Sequence, residues 1–135
     1  SYDVPLLGQA SAVVIAESYI RENYPDRQIE DLFQEYQRAT SGLVIFTFGA
    51  GAIWYARSDE AVRNLEPYPI DPVDTTGGGD AFRAGIVYGF LQEWDDDKMI
   101  DFAAALAALV CTRFPGVLGS PTLDEVLKSV RSPKA

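Results

Sequence analysis

Asp74-Thr75-Thr76-Gly77-Gly78-Gly79-Asp80-Ala81-Phe82-Arg83-Ala84-Gly85 is the stretch from which the rest of the chain can be read. Its glycines lead into a helix predicted over residues 80–93, where Phe82, Ile86 and Phe90 recur at helical spacing. Ala81, Gly85 and Gly89 make a parallel stripe of small residues, which lets another element approach closely. Glycines expose backbone N–H groups with no Cβ in the way. The unpaired amides of a first helical turn point into the same space and carry partial positive charge. That combination suits a phosphate-like anion. Asp80, at its edge, is repelled by such an anion but well placed to take a proton from a hydroxyl. The plainer alternative is a tight strand-to-helix turn in which Asp80 only favours the helix N-terminus.

Outward from this segment, strands and helices alternate. Residues 12–16 form a short apolar run that suits a buried strand, and 17–24 read as a helical piece ended by Pro25. Ile29, Leu32, Phe33 and Tyr36 fall on one helical face, which predicts an amphipathic helix over 29–39 closed by Ser41-Gly42. A second buried strand over 43–48, a Gly49-Ala50-Gly51 turn and a third strand over 53–56 follow. Residues 62–68 are extended and punctuated by Pro67, Pro69 and Pro72. Beyond the glycine-led helix, Asp95-Asp96-Asp97 gives an acidic start to a helix over 98–113 that is apolar nearly all round and should be buried. Thr122, Asp124 and Glu125 start a last short helix, and residues 132–135 read as a frayed tail. The alternation indicates a layered α/β fold with a largely parallel sheet.

Composition narrows the function. The 135 residues fit one domain, which hides roughly 70% of the surface its unfolded chain exposes. A net charge of −9 argues against nucleic acid, whose binding is built from cations placed on phosphates. It also makes an anionic ligand an unexpected guest unless local geometry supplies positive potential. The absence of histidine removes Ser-His-Asp and Cys-His catalysis and most zinc sites. Cys111, the single cysteine, allows no internal disulfide and reads as a packed small apolar side chain. The longest apolar stretch, 102–110, is too short to span a bilayer, and no charged-then-apolar leader opens the chain. A cytoplasmic protein without membrane contact is therefore expected.

The run 74–85 resembles the second signature of the phosphofructokinase-B, or ribokinase-like, family of carbohydrate kinases, whose usual form is D-T-T-G-A-G-D-x-F-x-A-G. Only Gly78 departs, replacing alanine. Upstream, Leu43-Val44-Ile45-Phe46-Thr47-Phe48-Gly49-Ala50-Gly51 looks like the family's strand ending in T-x-G-x-x-G, with the glycines one residue closer; a plain hairpin is the alternative. Downstream, Cys111-Thr112-Arg113 through Pro121 resembles the family's closing loop near the adenine. The similarity covers most of residues 10–130, the C-terminal half of a typical member.

The resemblance implies an incomplete ribokinase-like α/β fold, with residues 1–135 as its C-terminal nucleotide-binding part. It implies transfer of the γ-phosphoryl of ATP, with Mg2+, to a hydroxyl of a sugar or related polyol. Gly77, Gly78 and Gly79 would form the anion hole, Asp80 would be the base, and Thr47, Phe48, Gly49, Ala50 and Gly51, with Gly79, would border the nucleotide. Asp74 corresponds to a residue that helps hold a monovalent cation, K+, in some members; accepting backbone hydrogen bonds in the turn is its other reading. The family's N-x-x-E element, tied to magnesium, is absent or shifted onto Glu17 within Ala16-Glu17-Ser18-Tyr19, and the preferred reading of Glu17 is a helix-start carboxylate, with a metal partner as the alternative. Arg83 either faces solvent, the preferred reading, or pairs with Asp80. The half that supplies most sugar contacts and a lid, through which family dimers form, lies outside these residues, so a homodimer is expected only of the full-length protein. The rival reading is a non-catalytic nucleotide-binding or regulatory module.

Overall fold

A computed structural model describes residues 4–116 and 118–131. The chain divides between Pro67 and Tyr68 into two compact units. The first contains α1 (Val4–Gln9), β1 (Ala12–Ala16), α2 (Glu17–Asn23), α3 (Ile29–Ala39), β2 (Leu43–Thr47), β3 (Ile53–Ala56) and β4 (Arg63–Leu65). The second contains α4 (Gly78–Leu91), α5 (Asp96–Cys111) and α6 (Leu123–Ser129).

In the first unit the strands lie in the order β1-β2-β3-β4. β1 runs parallel to β2, with Val13 opposite Val44, whereas β2 and β3, and β3 and β4, pair antiparallel. The α/β reading holds, but the sheet among the described residues is mixed, not largely parallel. Connection length explains the difference. The segment from β1 to β2 carries α2 and α3, long enough for a crossover. The turn at 48–52 admits only a hairpin, and a hairpin makes its strands antiparallel. Leu43, Val44, Ile45 and Phe46 are all fully buried, as their continuous apolar run demands. Val44 and Phe46 share a core with Leu32, Phe33 and Tyr36 of α3, Ile20 of α2, and Val13 and Ala56. Phe33 meets Phe46 edge-to-face at 4.8 Å between ring centroids, a favoured geometry for aromatic pairs.

The second unit is built on α4 against α5. The stripe of small residues marks the contact: a Cβ on Gly85 would stand 2.7 Å from Ala103 Cα, and one on Gly89 would collide with the Met99 side chain. α5 begins earlier than expected because the Asp95 carboxylate caps it, accepting from the Lys98 amide at 2.8 Å. α6 opens with a capping box between Thr122 and Glu125, and its Val126 packs on Phe102 and Ala105.

Asp101 interrupts the apolar surface of α5 and is only 2% exposed. The Tyr68 hydroxyl donates to its Oδ1 at 2.6 Å, and the Arg131 amide donates to its Oδ2 at 3.0 Å. The Arg131 guanidinium lies 3.8 Å from the Tyr68 ring centroid. Burial, and then the bond to Asp101, push the Tyr68 phenol well above its ordinary range. These bonds tie both ends of the unit to its central helix.

Three further elements differ from the sequence reading. α1 was unexpected, being short and holding Gly8 within it. β4 is confined to three residues before the prolines. α4 starts at Gly78, ahead of Asp80. The tail 132–135 lies outside the described residues.

If glycine at 85 is what permits the α4–α5 approach, Gly85→Val should destabilise the protein by about 1–3 kcal/mol, the usual range for overpacking. A urea midpoint shifted downward confirms it; an unchanged midpoint removes the constraint.

Candidate functional site

The segment leading into the signature is fixed to the end of α5. The amides of Val73 and Asp74 both donate to the Cys111 carbonyl, at 2.8 and 3.1 Å. Asp74 then closes the turn with its side chain, its Oδ1 accepting from the Thr76 amide at 2.9 Å and its Oδ2 from the Gly116 amide at 3.4 Å. These bonds, Thr76 foremost, hold the Asp74 carboxyl below the ordinary carboxylate range. The backbone-accepting reading of Asp74 is thus realised. Burial, with the Asp74 charge second, raises the half-buried Cys111 thiol, which suits a packed side chain better than a nucleophile.

The three glycines serve three different needs. Gly77 is the α4 N-cap at φ 83°, in the left-handed region where a side chain is strained. Gly78 is buried, its amide donates back to the Thr75 carbonyl at 3.1 Å, and a Cβ there would stand 2.8 Å from Cys111 Sγ. Gly79 has ordinary helical geometry and is exposed, with Arg83 Nη1 lying 3.3 Å from where its Cβ would be. Ala81 closes the first turn by donating to the Gly77 carbonyl at 2.8 Å. The amides of Gly79 and Asp80 have no carbonyl partner among the described residues.

Asp80 lies in this first turn with its side chain 87% exposed. Arg83 Nη1 approaches its Oδ1 at 3.7 Å while its own side chain stays 49% exposed. Arg83 therefore pairs with Asp80 as well as meeting solvent; the expectation of solvent alone is corrected, since three residues along a helix put the two on one face. The contact is too long for a hydrogen bond, and a pair this exposed contributes about 0–1 kcal/mol.

The other candidates separate into their own units. Thr47 ends β2, the Gly51 amide donates to the Phe48 carbonyl at 2.8 Å, and Gly49 turns with φ 59°. Phe48 packs on Trp54, and Gly49 and Ala50 are exposed. Glu17 opens α2 and accepts from Arg21 Nε at 3.0 Å and Nη2 at 2.5 Å, so its helix-start role is realised. Among the described residues no three of His, Cys, Asp and Glu cluster to hold a metal. No described helix is long and apolar enough to cross a membrane. The loop after α5 is pinned by Arg113, which the closing-loop motif includes but gives no role: it donates to the Gly119 carbonyl at 2.9 Å and to Glu125 at 2.7 Å. Its cue is only a cation ahead of an acidic helix start. The Thr122 amide, and then Arg113, hold the Glu125 carboxyl at about 2.

The chain carries part of a ribokinase-like α/β fold: one unit with a mixed sheet and its helices, and a helical unit whose glycine turn starts a helix beside an open carboxylate. Among solved structures, a ribokinase from Thermotoga maritima matches with a TM-score of 0.82 and 16% identity, over 95% of this chain and 44% of that one. A putative ribokinase II from E. coli, solved in complex with ATP and Mg2+, matches with a TM-score of 0.80 and 23% identity, over 93% and 40%. The model of the pfkB family carbohydrate kinases matches residues 7–123, and the chain belongs to that family. A 5-dehydro-2-deoxygluconokinase from Clostridium perfringens is 24% identical over 130 residues, 96% of this chain but 37% of the relative. The chain thus spans roughly two fifths of the length of these relatives.

The contact between Gly78 and Cys111 gives a direct test. Gly78→Ala should destabilise by about 1–3 kcal/mol through overpacking, and adding Cys111→Ala should recover most of that loss. Denaturant unfolding of the two single variants and the double variant measures the coupling; additive losses would contradict the contact.

Proposed function

We propose that this chain supplies the phosphate-binding part and the catalytic base of a kinase that transfers the γ-phosphoryl of ATP to a hydroxyl of a sugar or related polyol. The observation that carries the reading is the pair of amides at Gly79 and Asp80, without carbonyl partners, at the start of a 14-residue helix and beside the open Asp80 carboxylate. Donors fixed there suit an anionic oxygen and need no reorganisation to receive it. Gly77 and Gly78 shape the seat, the first by its left-handed turn and the second by bringing α4 onto Cys111. Family membership and the ATP and Mg2+ bound by the E. coli relative support the same reading.

In the proposed reaction the acceptor oxygen bonds to the γ-phosphorus while its proton passes to Asp80, and the bond to the bridging oxygen breaks to release ADP. Bound magnesium would neutralise phosphate charge. Among the described residues no three of His, Cys, Asp and Glu cluster to cage it, so the ion would be held by at most one or two carboxylates together with phosphate and water, the usual manner for magnesium. Each Asp74 oxygen accepts one amide and keeps lone-pair capacity, so K+ there remains the finer proposal. Residues 47–51 enter as nucleotide contacts by the family pattern alone. The retained Asp80 favours this enzyme over a purely nucleotide-binding module.

Asp80→Asn in the intact protein separates the two readings. Asparagine keeps the shape and the helix-start chemistry but cannot take the proton, so kcat should fall by about 10² to 10⁴ while ATP affinity holds or rises slightly. Steady-state kinetics with ATP titration measures both. A variant keeping more than about a tenth of wild-type kcat, above the range of general-base loss, removes Asp80 from the mechanism.

A further inference from the structure

We propose that Arg83 is a phosphate-binding residue of this site, held on Asp80 when the seat is empty and moving onto the bound phosphate when it fills. The inference rests on the kinase reading above. Its geometric basis is the place of one guanidinium nitrogen, Nη1, which is 3.7 Å from Asp80 Oδ1 and 3.3 Å from the point where a Cβ on Gly79 would stand. The guanidinium therefore lies beside the glycine whose amide has no carbonyl partner among the described residues, in the first turn of α4.

Arg83 is also the cation left available to the turn. Among the described residues of the second unit, Lys98 sits over the Trp94 ring, Arg113 bonds Gly119 and Glu125, Lys128 pairs with Asp124, and Arg131 covers Tyr68. In a chain of net charge −9, a cation held at a phosphate seat instead of among distant carboxylates has a local use.

The exchange trades a weak contact for one of a stronger kind. The Asp80 contact is exposed and longer than a hydrogen bond, so little is lost when it is released. A guanidinium can donate to phosphate through two parallel N–H groups, a shorter and stronger arrangement. The same movement frees the Asp80 carboxylate as the nucleotide arrives, which ties availability of the proposed base to occupancy of the seat.

Calorimetric titrations of ATP and of adenosine into the intact wild-type protein, Arg83→Gln, Arg83→Lys and Gly79→Val test this, with thermal melts of each. The expected result is a loss of ATP affinity of about tenfold in Arg83→Gln, a smaller loss in Arg83→Lys, and unchanged adenosine affinity in both. The ATP affinity of Arg83→Gln should also fall less steeply with added KCl. Normal ATP binding by Arg83→Gln, with binding lost in Gly79→Val, would overturn the role of Arg83 and leave the phosphate seat standing. Normal ATP binding by both would overturn seat and inference together. Equal losses for ATP and adenosine, or an unfolded Arg83→Gln, would make Arg83 a structural residue and also overturn the proposal.

Discussion

The close approach of α4 to α5 sets everything else at the site. Two helices can come this near only where one offers no side chain, and α4 offers Gly78, Gly85 and Gly89 along the contact, against Cys111, Ala103 and Met99. Because Gly78 is part of that contact, the helix must already be formed when it leaves α5. The reversal of chain direction is then forced onto Gly77, whose left-handed φ no side chain adopts readily. The first helical turn is thereby delivered with Gly79 and Asp80 facing outward. Packing in the middle of the unit thus fixes the position of two amides and one carboxylate at its end.

Electrostatics at the turn run against the charge of the whole chain. A net charge of −9 repels an anion at long range, but screening at physiological salt confines that repulsion to about 8 Å. Within that distance the helix start, the two amides and Arg83 are positive, and Asp80 is the negative group beside them. Asp74 is turned away from this role by its own hydrogen bonds to Thr76 and Gly116. One acidic residue is built into the turn as structure and the other is left open to solvent.

Much of this was legible in the sequence where local pattern and tertiary packing agree. The bounds of α3 and β3 follow from periodicity and from flanking breakers, and the small-residue stripe on α4 announced a close helix contact. The ribokinase-like signature at 74–85 gave the family, which the match over 7–123 bears out. What stayed hidden depends on partners distant in sequence. Nothing local tells that Gly78 and Gly79 are helical, because glycine disfavours helix, and the packing of Gly78 against Cys111 is made by a residue distant in sequence. Nor does Asp101, in an apolar run, reveal that its partners are Tyr68 and Arg131. The sheet was read as largely parallel from the alternation of elements, whereas the short turn after Thr47 dictated an antiparallel pair.

The central claim is that the phosphate seat consists of the outward amides of Gly79 and Asp80. Amide chemical shifts of the 15N-labelled protein, followed through titrations with ATP and with adenosine, address it most directly. The account predicts that the Gly79 and Asp80 N–H resonances move strongly with ATP and little with adenosine, while that of Gly78, already bonded to Thr75, moves less. ATP binding that leaves the Gly79 and Asp80 resonances in place would contradict it.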